Sequence, residues 1–323
     1  MAQLPERPNV WGGLGTLFDT PAKQWTAIAV ILVAMVVAPF AFGTYGTVIL
    51  TNALLYVVLA LGLNIVVGYA GLLDLGFAAF FAVGAYTVGI ATLHFGLNFW
   101  LSLPLAVLFA IIAGIIIGTP TLRLRSDYLA IVTLGFGEIV RITARNLRET
   151  GGASGLIGIQ KPELFGWRIQ TPMDFYFVFC VLAIIGVIVS VRLANSRLGR
   201  AWLYVRHDED AAEAMGIDRV RVKLAAYVVG AVYGSIGGAF FAANLGAVSP
   251  ESFSFRQSVL ILMAVILGGM GKIPGVILGA FIVILAPELL RDAGDLRLLI
   301  FAVGLLLIML FRPSGIWPVR SKR

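Results

Sequence analysis

Cysteine, histidine and charge are all scarce in this chain. The single cysteine, Cys180, excludes an intrachain disulfide. Together with His94 and His207 it falls short of a zinc site of the His/Cys kind. Charged residues make up 13% of the 323 positions, against roughly 25% in an ordinary soluble domain. Hydrophobic residues reach 59%. Low charge with high hydrophobicity excludes a disordered chain. A chain this long and apolar cannot hide that surface in one water-soluble core. Catalytic signatures are missing too. Gly271-Lys272 fails as a nucleotide-binding loop, because Ile273 stands where Ser or Thr must hold magnesium and Ile266 where the first Gly belongs. No H-E-x-x-H occurs, and Gly152-Ala153-Ser154-Gly155 has the wrong spacing for a nucleophile elbow. These absences argue against an enzyme and imply no cofactor or metal.

What is present is a succession of apolar runs, so the fold class expected is an all-α, polytopic transmembrane bundle. A spanning helix needs about 20 mostly apolar residues. Candidate segments are Thr26–Phe42, Gly46–Gly71, Leu75–Phe95, Phe99–Leu122, Tyr128–Ile142, Phe175–Val191, Leu224–Pro250, Gln257–Gly271, Ile273–Pro287 and Leu298–Phe311. Tyr128–Ile142 carries Glu138 and Arg141, and the last three are short, which gives about ten spans with a range of eight to ten. A cytoplasmic N-terminal tail (1–25), a membrane domain (26–312) and a cytoplasmic C-terminal tail (313–323) follow, with loops at 148–172 outside and 196–222 inside. The tail holds a possible interfacial turn around Trp11–Phe18, and the run from Thr26 lacks the cleavage pattern of a signal peptide. The net charge of +7 would suggest nucleic acid for a soluble domain. Here ten spans with both termini inside put sixteen of the 24 cations on the cytoplasmic side, as the positive-inside rule requires. Five spans per half would run the second half upside down, as inverted repeats.

Helix association in lipid depends on close packing and interhelical hydrogen bonds. Gly230, Gly234 and Gly238 share one helix face, and Gly114/Gly118 and Gly275/Gly279 repeat the spacing. Tight packing and a sliding surface are both compatible with it. Gly68-Tyr69-Ala70-Gly71, followed by Asp74-Leu75-Gly76, reads either as a tight turn or as a broken helix whose ends line a pathway. Asp74 and Glu288 lie near span ends, where a solvated position is expected. Glu138 and Arg141 are spaced i,i+3, to neutralise each other or to meet a zwitterionic solute. Asn52 and Asn64 read as interhelical hydrogen-bonding residues.

The most charged stretch, Ser196–Val222, contains a predicted short helix. Asp208 suits its N-cap, the acids after it suit the positive end of the dipole, and Gly216 suits the residue just past its end. Ala211, Ala212, Met215 and Ile217 are expected to form a small apolar tip, unless the loop is only a solvated connector. The spacing Asp210-Ala211-Ala212-x-x-x-Gly216 resembles the E-A-A-x-x-x-G loop of ABC-importer permeases, with Asp for the first Glu. Gly68–Tyr86, Asp127–Arg141 with Thr150–Leu156, and Gly268–Gly275 resemble the signatures of branched-chain amino-acid permeases of the LivM type. Phe77 stands where many members carry His.

The resemblance covers about residues 46 to 318. It implies an ATPase-coupling role for Asp210, Ala211, Ala212, Glu213, Met215 and Gly216. It also implies a bacterial inner-membrane permease paired with a second, homologous permease. Two ABC ATPase subunits would bind inside and a solute-binding protein outside. Branched-chain amino acids, urea, short amides and other small solutes all stay open as cargo. Asn64, Asp74, Glu138, Arg141, Gly230, Gly234 and Gly238 remain candidate pathway or packing residues. A secondary transporter or channel would carry acidic or histidine relays deep in the spans, which are sparse here, and an intramembrane enzyme would need a clustered catalytic set.

The charge asymmetry generates a direct test. Cysteines introduced at Gln3 and Ser321 are expected to resist an impermeant thiol reagent in right-side-out cells. Labelling at either position overturns the orientation or the span count.

Overall fold

The computed structural model describes residues 21–121, 126–164, 167–294, 296–312 and 315–316. The expected interfacial turn at Trp11–Phe18 and most of the C-terminal tail lie outside these residues. Eleven α-helices occur among the described residues: α1 (Pro21–Leu63), α2 (Ala78–His94), α3 (Phe99–Thr121), α4 (Ser126–Asn146), α5 (Pro172–Asn195), α6 (Arg197–His207), α7 (Glu209–Ala214), α8 (Arg219–Leu245), α9 (Phe255–Gly268), α10 (Ile273–Leu289) and α11 (Leu296–Phe311). The chain is an all-α membrane protein. Five of its helical stretches are long and apolar enough to cross a bilayer: Ala38–Tyr69, Phe99–Pro120, Pro172–Asn195, Arg219–Leu245 and Pro250–Gly268. Shorter apolar helices occupy Ala78–His94, Ile273–Leu289 and Leu299–Ile308. Each of the ten apolar segments read from the sequence falls largely within a helix. The first two are joined in α1 through a kink at Gly43, whose φ of 64° and ψ of −173° leave helical space. The fifth lies in α4, the most polar of the long helices, with Glu138, Arg141 and Arg145 spaced along one side.

Helix ends follow local chemistry. Thr171 and Asp174 form a reciprocal capping box at the start of α5, with Pro172 in its first turn. Asp218 caps α8 by accepting from the Arg221 amide at 3.1 Å. Gly246, at φ 67°, ends α8 in the left-handed region. Two short antiparallel pairs sit in the loops. β1 (Leu156–Ile157) pairs with β4 (Ala247–Val248), and β2 (Glu163–Leu164) with β3 (Trp167–Arg168). The first pair ties the 147–171 loop to the end of α8. At the other end of the bundle, Trp202 of α6 donates to the Val222 carbonyl at 2.8 Å, and the Ile316 amide donates to Leu267 at 2.9 Å.

Helix α8 is the axis of the packing. Its Ser235 hydroxyl donates to the Ala106 carbonyl of α3 at 2.8 Å, and its Tyr233 hydroxyl to the Gly186 carbonyl of α5 at 2.7 Å. Its glycine face meets α1 and α2. A Cβ on Gly230 would stand 2.5 Å from Val66, and one on Gly234 3.0 Å from Phe80. One on Gly238 would collide with the Phe81 carbonyl, and one on Gly84 of α2 with the Ser235 carbonyl. The α2–α8 crossing is thus backbone on backbone from both sides. The α9–α10 hairpin repeats the device, with Gly268 against the Gly275 carbonyl and Gly279 against that of Ala264.

A methyl group is therefore expected to separate α2 from α8. Gly238→Ala should lower stability by about 1–3 kcal/mol, the usual range for overpacking. Gly135→Ala in α4, where a Cβ meets nothing within 4 Å, should stay within about 0.5 kcal/mol of the parent. Thermal unfolding in detergent measures both, and equal behaviour of the two variants would contradict the crossing.

Candidate functional site: a helix break and a capped surface helix

Helix α1 does not stop at Leu63 but widens into a π turn, Asn64–Tyr69, and then leaves helical geometry until Ala78. Single π turns inside helices concentrate at functional sites. Gly71 turns the chain at φ 73°. The segment that follows is secured by hydroxyl groups from two other helices. The Leu75 amide donates to Thr133 Oγ1 of α4 at 3.1 Å, and the Ala78 amide donates to Ser258 Oγ of α9 at 2.9 Å. Asp74 Oδ1 accepts from the Gly76 amide at 2.8 Å. Gly76 lies so close to α4 that a Cβ would strike the Thr133 carbonyl.

The solvated position expected for Asp74 is not the one observed: the residue is 0% exposed. The broken segment folds inward against α4 and α9 instead of looping into water. The Gly68–Gly76 run is thus an interruption of helical geometry packed inside the bundle. Among the described residues, no hydrogen bond of full geometry reaches Asp74 Oδ2, Asn64 Nδ2 or the hydroxyls of Tyr69 and Tyr227, all of them buried. Left unsatisfied, each such group would cost about 1–3 kcal/mol, and the four gather around the break. Asn64 also works structurally, its Oδ1 accepting from the Gly271 amide at 2.8 Å. Phe77 is fully buried, with its ring tip beside Gly62 and Gly234.

The second element is α7. Asp208 Oδ1 accepts from the amides of Asp210 and Ala211, both at 3.0 Å. Gly216 follows the helix at φ 84°, with open space around it. Ion pairs strap this short helix to the start of α8. Arg219 reaches Glu213 at 3.2 Å and Asp210 at 3.5 Å, and Lys223 reaches Glu209 at 2.6 Å. Lys223 is only 4% exposed. The apolar tip differs from expectation: Ile217 is half-buried, and Ala214 joins in place of Ala212. Ala212 is turned inward and buried, so the exposed tip consists of Ala211, Ala214 and Met215, the last 80% exposed. The cause is the packing of α7 on α8, which claims one face of a helix too short to display a periodicity of its own.

Glu138 and Arg141 do pair, at 2.8 Å, and Arg141 also holds Glu251 at 3.1 Å, joining α4 to the turn before α9. Glu288, 28% exposed in its side chain, accepts from the Tyr45 hydroxyl. Gly230, Gly234 and Gly238 line the α8 contact. Sequence reasoning passed over Thr133, Ser258, Lys223 and Arg206. Lys223 and Arg206 counted only among the sixteen cytoplasmic cations, and a hydroxyl in an apolar helix carries no local sign of the amide it will meet.

The family model for the branched-chain amino acid transport system permease component matches residues 45–311. That match covers the break, α7 and the whole glycine face. The chain belongs to this family. It is 41% identical to the high-affinity branched-chain amino acid transport system permease protein LivM of Escherichia coli, over 97% of this chain and 82% of that one. The LivM protein of Salmonella typhimurium is also 41% identical, over 95% and 78%. The LivH permease protein of Escherichia coli is 24% identical, over 81% and 90%. No solved structure matches the chain.

The strap makes a prediction. Glu209→Gln leaves the buried Lys223 ammonium without its counter-charge. It should loosen α7 by about 1–2 kcal/mol, a roughly 5- to 30-fold change in the local opening equilibrium. Hydrogen exchange of the 209–217 amides should rise by that factor, and unchanged exchange would show that the pair does not hold the helix.

Proposed function

We propose that this chain is a permease subunit of a binding-protein-dependent ABC importer in the bacterial inner membrane. It forms half of a translocation pathway for branched-chain amino acids or related small solutes, and a second, homologous permease forms the other half. Two ATPase subunits bind on the cytoplasmic side and a solute-binding protein on the opposite side. Membership of the permease family carries this reading, and the names of the LivM and LivH relatives supply the solute class and the idea of a permease pair. The cation bias supports about ten spans with both termini inside, and five helices per half support inverted repeats.

In this reading α7 is the docking element for an ATPase. Asp210, Ala211, Ala212, Glu213, Met215 and Gly216 build it, with Ala211 and Met215 at the contact and Ala212 underneath. A capped helix strapped to α8 transmits displacement where a loose loop would absorb it. Asn64 and Asp74 face the pathway from the break, supported by their buried polar atoms that no hydrogen bond of full geometry among the described residues reaches. Glu138 and Arg141 close the other end of α4, and Gly230, Gly234 and Gly238 hold the helices that flank the pathway.

Purification in mild detergent should recover P-loop ATPase chains with the parent permease. Ala211→Arg and Met215→Asp place charge on the exposed tip without touching the packing below it. Each is expected to cut ATPase recovery at least tenfold while membrane insertion and thermal unfolding stay unchanged. Full recovery with both variants would contradict docking on α7.

A further inference from the structure

We infer that Arg206 is the residue that transmits movement of the α6–α7 unit to the helix break. This rests on the importer reading and adds a named link to it. An ATPase can shift the permease only through contacts that differ between its nucleotide states. The tip of α7 is on the surface, and the break is inside the bundle. Helix α6 supplies the connection between them.

The roll of α6 is fixed by Trp202, which is fully buried and donates to the Val222 carbonyl at 2.8 Å. Arg206 lies four residues on, one turn along the same face. Its side chain reaches across to α1, and Nη1 donates to the carbonyl of Gly68 at the end of the π turn. The stem of the side chain fits against Gly71, where a Cβ would stand 2.8 Å from Arg206 Cγ. Gly68 also abuts a third segment. A Cβ on Gly68 would stand 2.5 Å from the Gly271 nitrogen, whose amide is held by Asn64 Oδ1.

Arg206 therefore touches a place where the π turn meets the α9–α10 turn. The π turn continues directly into the segment fastened to Thr133 of α4 and Ser258 of α9. A shift of α6 pulls on a single backbone carbonyl, and that carbonyl belongs to a segment shared by α1, α4 and α9. A planar guanidinium suits this task, since it keeps its charge and presents several donors in a fixed plane. Arg197, at the start of α6, is exposed like Arg206 but stands at the opposite end of the helix, and serves as the comparison.

The test uses the assembled transporter in nanodiscs and proteoliposomes, with radiolabelled leucine as the probe. Arg206→Met keeps the length of the stem and removes the donors, Arg206→Lys keeps a charged donor, and Arg197→Met is the surface control. The expected result is ATPase recovery within twofold of the parent for all three. Leucine taken up per ATP hydrolysed should fall at least tenfold for Arg206→Met, recover by half or more for Arg206→Lys, and stay unchanged for Arg197→Met. An assembled Arg206→Met complex with the parental ratio overturns the relay. So does failure of Arg206→Met to assemble, because the residue is then structural. A parent complex that hydrolyses no ATP and moves no leucine sinks the importer reading itself, a separate result.

Discussion

A backbone amide or carbonyl without a partner costs several kcal/mol in an apolar layer, roughly the same for every residue type. A helix meets that demand within itself, and wherever this chain stops being helical inside the bundle another element has to meet it. The interruption between Tyr69 and Ala78 is the clearest case. The Gly76, Leu75 and Ala78 amides are taken up by Asp74, Thr133 and Ser258, those of Ala70 and Leu72 by the π turn's own carbonyls, and the Gly68 carbonyl by Arg206. Four elements are thereby fixed around eight residues of irregular chain. Moving the break means breaking those bonds or moving the helices that hold them, so a flexible-looking sequence becomes a rigid junction.

Close approach of backbones is the second requirement, and glycine provides it. Hydrophobic burial does little to hold helices together in lipid, so contact distance decides. The reciprocal fit of Gly84 and Gly238, and the matching fit of Gly268 and Gly279 in the α9–α10 hairpin, bring main chain against main chain. That closeness lets hydroxyls as short as those of Ser235 and Ser258 reach carbonyls and amides of neighbouring helices. Packing and hydrogen bonding are one arrangement here.

Much of this was legible in the amino-acid sequence. Apolar runs identified the helices because a bilayer selects on length and polarity alone. The caps of α7 and the Gly230/Gly234/Gly238 face were readable because capping and i,i+4 spacing are local properties. The burial of Asp74 was not readable. Its neighbours in sequence are glycines and leucines, and the groups that hold its segment come from residues 133 and 258. Ala212 misled for a related reason, since a six-residue helix shows no stripe and the strap that orients it comes from Arg219 and Lys223. Arg206 looked like one more cytoplasmic cation, and its destination is 138 positions away.

Family membership and these contacts support a common picture, in which a strapped surface helix and a secured helix break are parts of one permease. The central physical claim is that the break belongs to the rigid core. Hydrogen exchange measured by mass spectrometry on the detergent-solubilised protein tests it most directly. The account predicts that peptides covering residues 64–78 exchange as slowly as the flanking helical peptides at 54–61 and 79–86. Exchange of 64–78 as fast as the surface turn at 95–98 would contradict it.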